Sequence, residues 1–195
     1  MQDKDRTVAR LKFLPLTPGR WDDFEALFGE RGACGGCWCM WFRVGRKEFE
    51  AKKGAGNRQA MKEIVASGKR PGLLAYHRGR AIGWCAVAPR EQYPRLLGSR
   101  ILKPVDDQPV WSIVCLFVAK PYRGKGVSTQ LLRAASDYVR KRGGTVVEGY
   151  AVEPKKDRMP AVFAYHGLAS AYRDAGFVEV ARRSPQRPIM RYVIG

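Results

Sequence analysis

An apolar, β-branched run from Val110 to Val118 leads through KPYRGKGVS into Thr129 to Arg142, where Leu131, Leu132, Ala135, Tyr138 and Val139 recur at helical spacing. This order predicts a buried strand, a glycine turn and an amphipathic helix in immediate succession. Such a turn presents backbone N–H groups at the positive end of a helix dipole, a ready-made anion site. The anion is expected over Arg123, Gly124, Lys125, Gly126, Val127 and Ser128. Gly124 and Gly126 permit backbone conformations and close approach that a Cβ obstructs. Arg123 and Lys125 add positive charge. RGKG alone is equally compatible with an ordinary strand-to-helix loop. Neither G-x-G-x-x-G nor G-x-x-x-x-G-K-[ST] occurs, so Rossmann and P-loop readings fail.

Strands and helices alternate in the rest of the chain. Val8 to Leu14 alternates apolar with basic residues as a half-buried strand does, and Pro15 ends it. Thr17 is placed to cap a helix with Pro18 in its first position and Trp21, Phe24, Leu27 and Phe28 as its stripe, stopping near Gly29. Asn57 is placed to cap a second helix through Met61, Ile64 and Val65, ended by Gly68. Leu73 to His77 and Ala81 to Ala88 flank Arg78, Gly79 and Arg80 as a hairpin. Pro89 to Gln108 reads as a loop with at most one helical turn. Thr145 to Val152 is a strand and Ala161 to Ala175 a helix closed by Gly176. Phe177 to Ala181 and Ile189 to Val193 are the last strands. The order predicts an α/β fold, a mixed sheet covered on both faces. A chain of 195 residues, 45% hydrophobic, buries a core of its own and fits one domain over residues 1–195.

Thirty-six Lys and Arg against eighteen Asp and Glu give a formal charge of +18, which attracts phosphates, nucleic acid and anionic surfaces without choosing among them. The basic residues are scattered and no aromatic-interleaved RNA-binding signature occurs, so dedicated nucleic-acid binding is not expected. No membrane span and no signal segment are read, which points to a cytoplasmic protein. The cysteines number five, and Cys85 and Cys115 lie inside strand-like apolar runs, an arrangement unlike a disulfide framework. His77 sits at a hairpin end and His166 reads as a satisfied structural histidine, so a Ser-His-Asp site has little material.

LFVAKPYRGKGVSTQLLRAA, followed about forty residues later by YRDAGF, resembles the two best-known motifs of the GNAT superfamily of acyl-coenzyme A-dependent N-acetyltransferases. The match runs through Val118, Arg123, Gly124, Gly126 and Val127, then Tyr172, Gly176 and Phe177. Ser128 stands where the family has Gly or Ala, and Tyr165 where many members have asparagine. The resemblance implies a single-domain, mostly antiparallel sheet with helices on both faces. It implies acetyl-coenzyme A as co-substrate, its pyrophosphate on the turn and its pantetheine arm beside Leu116, Phe117 and Val118, where a backbone N–H stabilises the thioester oxyanion. It implies Tyr172 as the acid that protonates the departing sulfur; a phenol is protonated at neutral pH.

An amine nucleophile must lose a proton, since a lysine-like ammonium titrates near about 10.4. Many relatives carry a strand glutamate for this. Here the equivalent registers hold Ser112 and Val114, and Glu148 and Glu153 are the substitutes. CGGCWCMWF groups Trp38, Trp41 and Phe42 with Cys34, Cys37 and Cys39, and the resemblance makes this region part of the acceptor wall. No metal is expected, because C-x-x-C-x-C has no fourth ligand partner. The expected activity is transfer of an acyl group, acetyl first, to a primary amine of a small-molecule or peptide acceptor by direct attack, in a monomer or a homodimer. The competing expectation is a non-catalytic acyl-coenzyme A sensor, or a basic module that docks to nucleic acid.

Overall fold

Arg78 and Gly79, both at positive φ, close the hairpin between β2 (Gly72–His77) and β3 (Arg80–Pro89). The computed structural model describes residues 7–154 and 165–195. Around that hairpin stand β1 (Lys12–Pro15), β4 (Trp111–Val118), β5 (Val146–Tyr150), β6 (Val178–Arg182) and β7 (Pro188–Val193). They form one sheet in the order β1-β2-β3-β4-β5-β7-β6, antiparallel everywhere except between β4 and β5.

Helices cover both faces, as the alternation of elements implies. On one side lie α1 (Trp21–Phe28), α2 (Arg46–Ala51) and α3 (Ala55–Ala66), followed in the chain by the short α4 (Pro94–Leu97). Trp21, Phe24, Phe28, Phe49, Met61 and Val65 form a core with Trp84, Ala86 and Val114 of the sheet. On the other side, α5 (Val127–Arg140) and α6 (Ala169–Asp174) pack Leu131, Leu132, Ala135 and Tyr172 on Ile82, Ile113, Leu116 and Val118. Val114 is an extra residue in β4, because Ala86 pairs with Cys115 and Val87 with Ile113. This bulge lets Val114 and Cys115 face the same layer, while Ile113 and Leu116 face the other. Among the described residues no helix is long and apolar enough to cross a membrane.

Four local expectations are corrected. The first strand begins only at Lys12: Arg10 has φ 57, and Val8 leaves the sheet to donate its N–H to the Lys125 carbonyl at 3.2 Å. Thr17 makes no side-chain cap; a 3-10 turn over Pro18–Arg20 precedes α1. Asn57 is an interior residue of α3, fully buried, and its amide donates to the Gly36 and Phe49 carbonyls. It ties the loop to the helix, a use that competes with capping. The last helix begins at Ala169, after Gly167 at φ 83; the earlier part of the expected span, 161–164, lies outside the described residues.

One buried ion network joins the sheet to the segment between β3 and β4. Glu148 on β5 faces Arg191 on β7 across the ladder. Its Oε2 accepts from Arg191 Nε at 2.8 Å and its Oε1 from Arg90 Nη1 at 2.5 Å and from the Tyr150 hydroxyl at 2.9 Å. Arg90 also donates to the Leu102 carbonyl at 2.6 Å, and Arg191 forks onto Asp106 at 2.6 and 2.9 Å. Removing one partner of such a network strands buried charge, which costs about 3–5 kcal/mol. Glu148→Gln is therefore expected to lower unfolding free energy by about that much in urea titration; a loss below about 1 kcal/mol would remove the network from the structural account.

Candidate active site

Gly126 takes φ 69 as the cap residue of α5, and Gly124 takes φ 72 two residues earlier. These conformations suit glycine, and they turn the chain so that Val127, Ser128 and Thr129 start the helix with N–H groups that have no intrahelical acceptor. The next N–H, of Gln130, already bonds the Gly126 carbonyl at 3.1 Å. Arg123, Gly124, Lys125 and Gly126 are exposed, so the site is open to a large anion. Val127 is buried and offers its backbone alone. Behind the turn, Gln130 Nε2 donates to the Val8 carbonyl at 3.0 Å, and a Cβ on Gly126 would lie 3.2 Å from Thr7 Cγ2. The structure thus brings the expected turn residues together in one cradle.

Among the described residues, the strand leading into that cradle has no partner strand on its β5 side beyond Ile113. β4 and β5 pair at Trp111, Ser112 and Ile113 with Val147, Glu148 and Gly149, and the two strands part there. Leu116 N–H points into the resulting gap and donates to the Tyr165 carbonyl at 2.6 Å. By strand alternation Val118 faces the same way; its carbonyl accepts from Arg123 Nε at 2.8 Å. Phe117 faces the other edge, paired with Trp84, so its N–H is not aimed at the gap as expected. Its ring packs 5.6 Å from Phe28 instead.

At the fork itself sits Tyr172. A Cβ on Gly149, the last β5 residue paired with β4, would lie 2.5 Å from the Tyr172 hydroxyl. The side chain of Tyr172 reaches this point only because position 149 has none, a dependence that a single sequence hides. The hydroxyl donates to the His166 carbonyl at 3.0 Å. Burial pushes the phenol well above its ordinary range, so it stays protonated.

The two carboxylates named as bases stand elsewhere. Glu148 is fully buried and both its oxygens are taken, as described above. Glu153 lies outside the fork between Arg173 and Arg182; the Arg173 guanidinium holds its carboxyl below the usual range. A base must have a free lone pair within reach of the amine, so both are better described as ion-pair anchors.

The aromatic loop divides into two parts. Trp38, at φ 43, is buried with its ring stacked 5.8 Å from Phe28 and borders a concavity with Asp22, Glu25 and Arg58. Trp41 and Phe42 line a different cavity of about 450 Å3 with Arg95, Leu102, Tyr165, His166 and Arg187. That size accommodates a small organic ligand. Of the three aromatics expected in one wall, Trp41 and Phe42 share a cavity and Trp38 stands apart from it. The nearby sulfurs also separate. Cys34 is exposed, the Cys37 thiol donates to the Gly32 carbonyl at 3.5 Å, and Cys39 accepts from Trp84 Nε1 at 3.3 Å. Burial pushes the Cys37 thiol up to about 11. Among the described residues no three His, Cys, Asp or Glu are grouped to hold a metal.

The model of the acetyltransferase (GNAT) family matches residues 38–168, and the chain belongs to that family. No curated protein matches it in sequence. Solved structures of the same fold include the PaiA N-acetyltransferase of Thermoplasma acidophilum in complex with coenzyme A, at 14% identity and TM-score 0.52, covering 95% of this chain and 99% of that one. A GNAT-family acetyltransferase of Listeria monocytogenes matches at 9% identity and TM-score 0.57, covering 94% and 95%. Arylalkylamine N-acetyltransferase 2 of Aedes aegypti matches at 16% identity and TM-score 0.56, covering 95% and 100%.

Arg95 and Arg187, which line the cavity from distant segments, and the open nitrogen of His166 escape sequence reasoning altogether; nothing local in PRLL or SPQRP marks them. The turn is the more legible half and is directly testable. Gly126→Glu puts a side chain at φ 69 against Thr7 and a negative charge on the anion cradle. It is expected to abolish acetyl-coenzyme A binding in calorimetry while circular dichroism stays unchanged; retained affinity would move the coenzyme away from this turn.

Proposed function

We propose that the protein is an N-acyltransferase that moves an acyl group, acetyl in the first instance, from coenzyme A to a primary amine by direct attack. The observation that carries this reading is the meeting of the anion cradle, the β4 edge beyond its last pair with β5 and the Tyr172 phenol at one fork of the sheet. A pyrophosphate suits the N–H groups at the start of α5 and the charges of Arg123 and Lys125. A pantetheine amide suits a strand edge whose neighbour has departed. Coenzyme A, when bound, supplies the activated carbonyl and a thiol leaving group.

The chain's own residues then have separate tasks. Leu116 and Val118 direct N–H groups at the gap, where each donor to a developing oxyanion is worth on the order of 2.7–4 kcal/mol. For Leu116 this requires the Tyr165 carbonyl to give up its bond. Tyr172 holds a proton at the fork for the departing sulfur. Arg95 and Arg187 beside the cavity disfavour another positive charge there, which lowers the ammonium pKa of an entering amine, so that its proton passes to water. The aromatic lining of Trp41, Phe42 and Tyr165 is in keeping with an acceptor that has an apolar body, small molecule or peptide.

A second reading, a non-catalytic acyl-coenzyme A sensor, draws on the capture of both Glu148 and Glu153 by arginines. Coenzyme A thiol release across a panel of amines separates the two. Turnover supports transfer, and tight binding with no turnover on any amine supports the sensor. Tyr172→Phe is expected to lower kcat by about 10- to 10⁴-fold with coenzyme affinity nearly unchanged, since only leaving-group protonation is lost. Equal kcat would remove Tyr172 from the acid role.

A further inference from the structure

The cavity beside Trp41 and Phe42 carries charge that no acidic side chain among the described lining residues answers. Arg95 Nη1, Arg187 Nη1 and His166 Nδ1 are buried nitrogens with no hydrogen-bond partner among the described residues, and all three residues line this one cavity. No Asp or Glu is among the described lining residues. A buried polar atom left without a partner costs about 1–3 kcal/mol, and more when charged. Three residues carrying such atoms line one hollow, and a ligand able to accept and share hydrogen bonds there would relieve them.

The geometry of the arginines says what kind of ligand. The Arg95 guanidinium lies on the Trp41 ring, 3.6 Å from its centroid. A guanidinium stacked by its face keeps its N–H edge for in-plane hydrogen bonds, the geometry that matches a carboxylate. Arg46 adds positive charge near it, and Glu50 is the carboxylate in its surroundings. Arg187 approaches from the turn between β6 and β7 and acts electrostatically on His166. His166 is 2% exposed; burial, then Arg187, pushes its imidazole down to about 3. It is therefore neutral and brings hydrogen-bonding capacity without competing for the anion's charge.

We infer that this cavity takes an acceptor bearing a carboxylate as well as its amine, an amino-acid-like molecule with an apolar body, gripped by Arg95 and Arg187. The amine end rests on the acyl-transfer reading above, whereas the carboxylate grip does not. The body would lie against Trp41, Phe42 and Tyr165, and Tyr165 also borders the cofactor strand through its bond to Leu116. That arrangement directs the amine toward the gap and the carboxylate away from it.

The test compares aromatic and aliphatic amino acids with their primary amides, which differ only in the anionic group. Affinity is measured by calorimetry on the full chain, and coenzyme A release is measured in parallel. The best-bound acids are expected to bind at least about tenfold tighter than their amides. Arg187→Gln and Arg95→Gln, each checked for an unchanged melting temperature, are expected to bring the two within about threefold. Retention of the acid preference in both variants, amides binding as well as acids throughout the panel, or no binding of any acid would overturn the inference. Tighter binding of the matching aminophosphonates would also overturn it, in favour of a phosphate-bearing acceptor. Acid-selective binding that depends on the arginines but brings no coenzyme A release would leave the carboxylate grip standing and sink the acyl-transfer reading instead.

Discussion

Strands β4 and β5 run side by side for three residue pairs and then part after Ile113 and Gly149. Parallel strands normally satisfy one another's backbone along their length, so a parting leaves N–H and C=O groups that need other partners. Here Leu116 N–H is answered by the Tyr165 carbonyl and the Val118 carbonyl by Arg123. Both are groups that a ligand's own amides can replace. The bulge at Val114 follows the last pair at once and sets which β4 side chains face each core. The placement of the glycine turn, the phenol of Tyr172 and the aromatic cavity all follow from where that fork opens.

A fork held open by departing strands needs its base fixed, and Glu148 does this beneath it. It clamps β5 to β7 through Arg191 and to the start of the β3–β4 connection through Arg90. Arg90 in turn holds the Leu102 carbonyl, and Leu102 is part of the cavity wall. The stability of the sheet and the shape of the aromatic cavity therefore share one carboxylate. In a chain with twice as many basic as acidic side chains, a buried carboxylate is better used joining two arginines than waiting as a free base.

What was legible in the sequence was local. The hairpin over Arg78 to Arg80 and the turn at Gly124 and Gly126 were readable because their conformations are set by a few adjacent residues. Asn57 misled because its amide is drawn away by the Gly36 and Phe49 carbonyls, acceptors that only the folded loop supplies. Helix α2 escaped notice because RKEFEA contains one large apolar residue, Phe49, too few for a periodic signal. Trp38 could not be told from Trp41 and Phe42, since positive φ at Ala33, Trp38 and Cys39 destroys any periodicity from which facing could be inferred. The two ion pairs of Glu148 join positions 58 and 43 residues apart in the chain, the Arg95, His166 and Arg187 cluster joins positions from 21 to 92 apart, and no spacing rule reaches that far.

Tyr165 touches both halves of the site: its carbonyl occupies Leu116 N–H, while its ring belongs to the cavity wall. A ligand pairing with β4 must pull that carbonyl away, and the ring moves with it. The two binding events thus act on one hinge point, and work done on it by the first arrival need not be repeated by the second. By linkage the help runs equally in both directions, so any order of arrival seen in kinetics would reflect rates rather than a one-way gate.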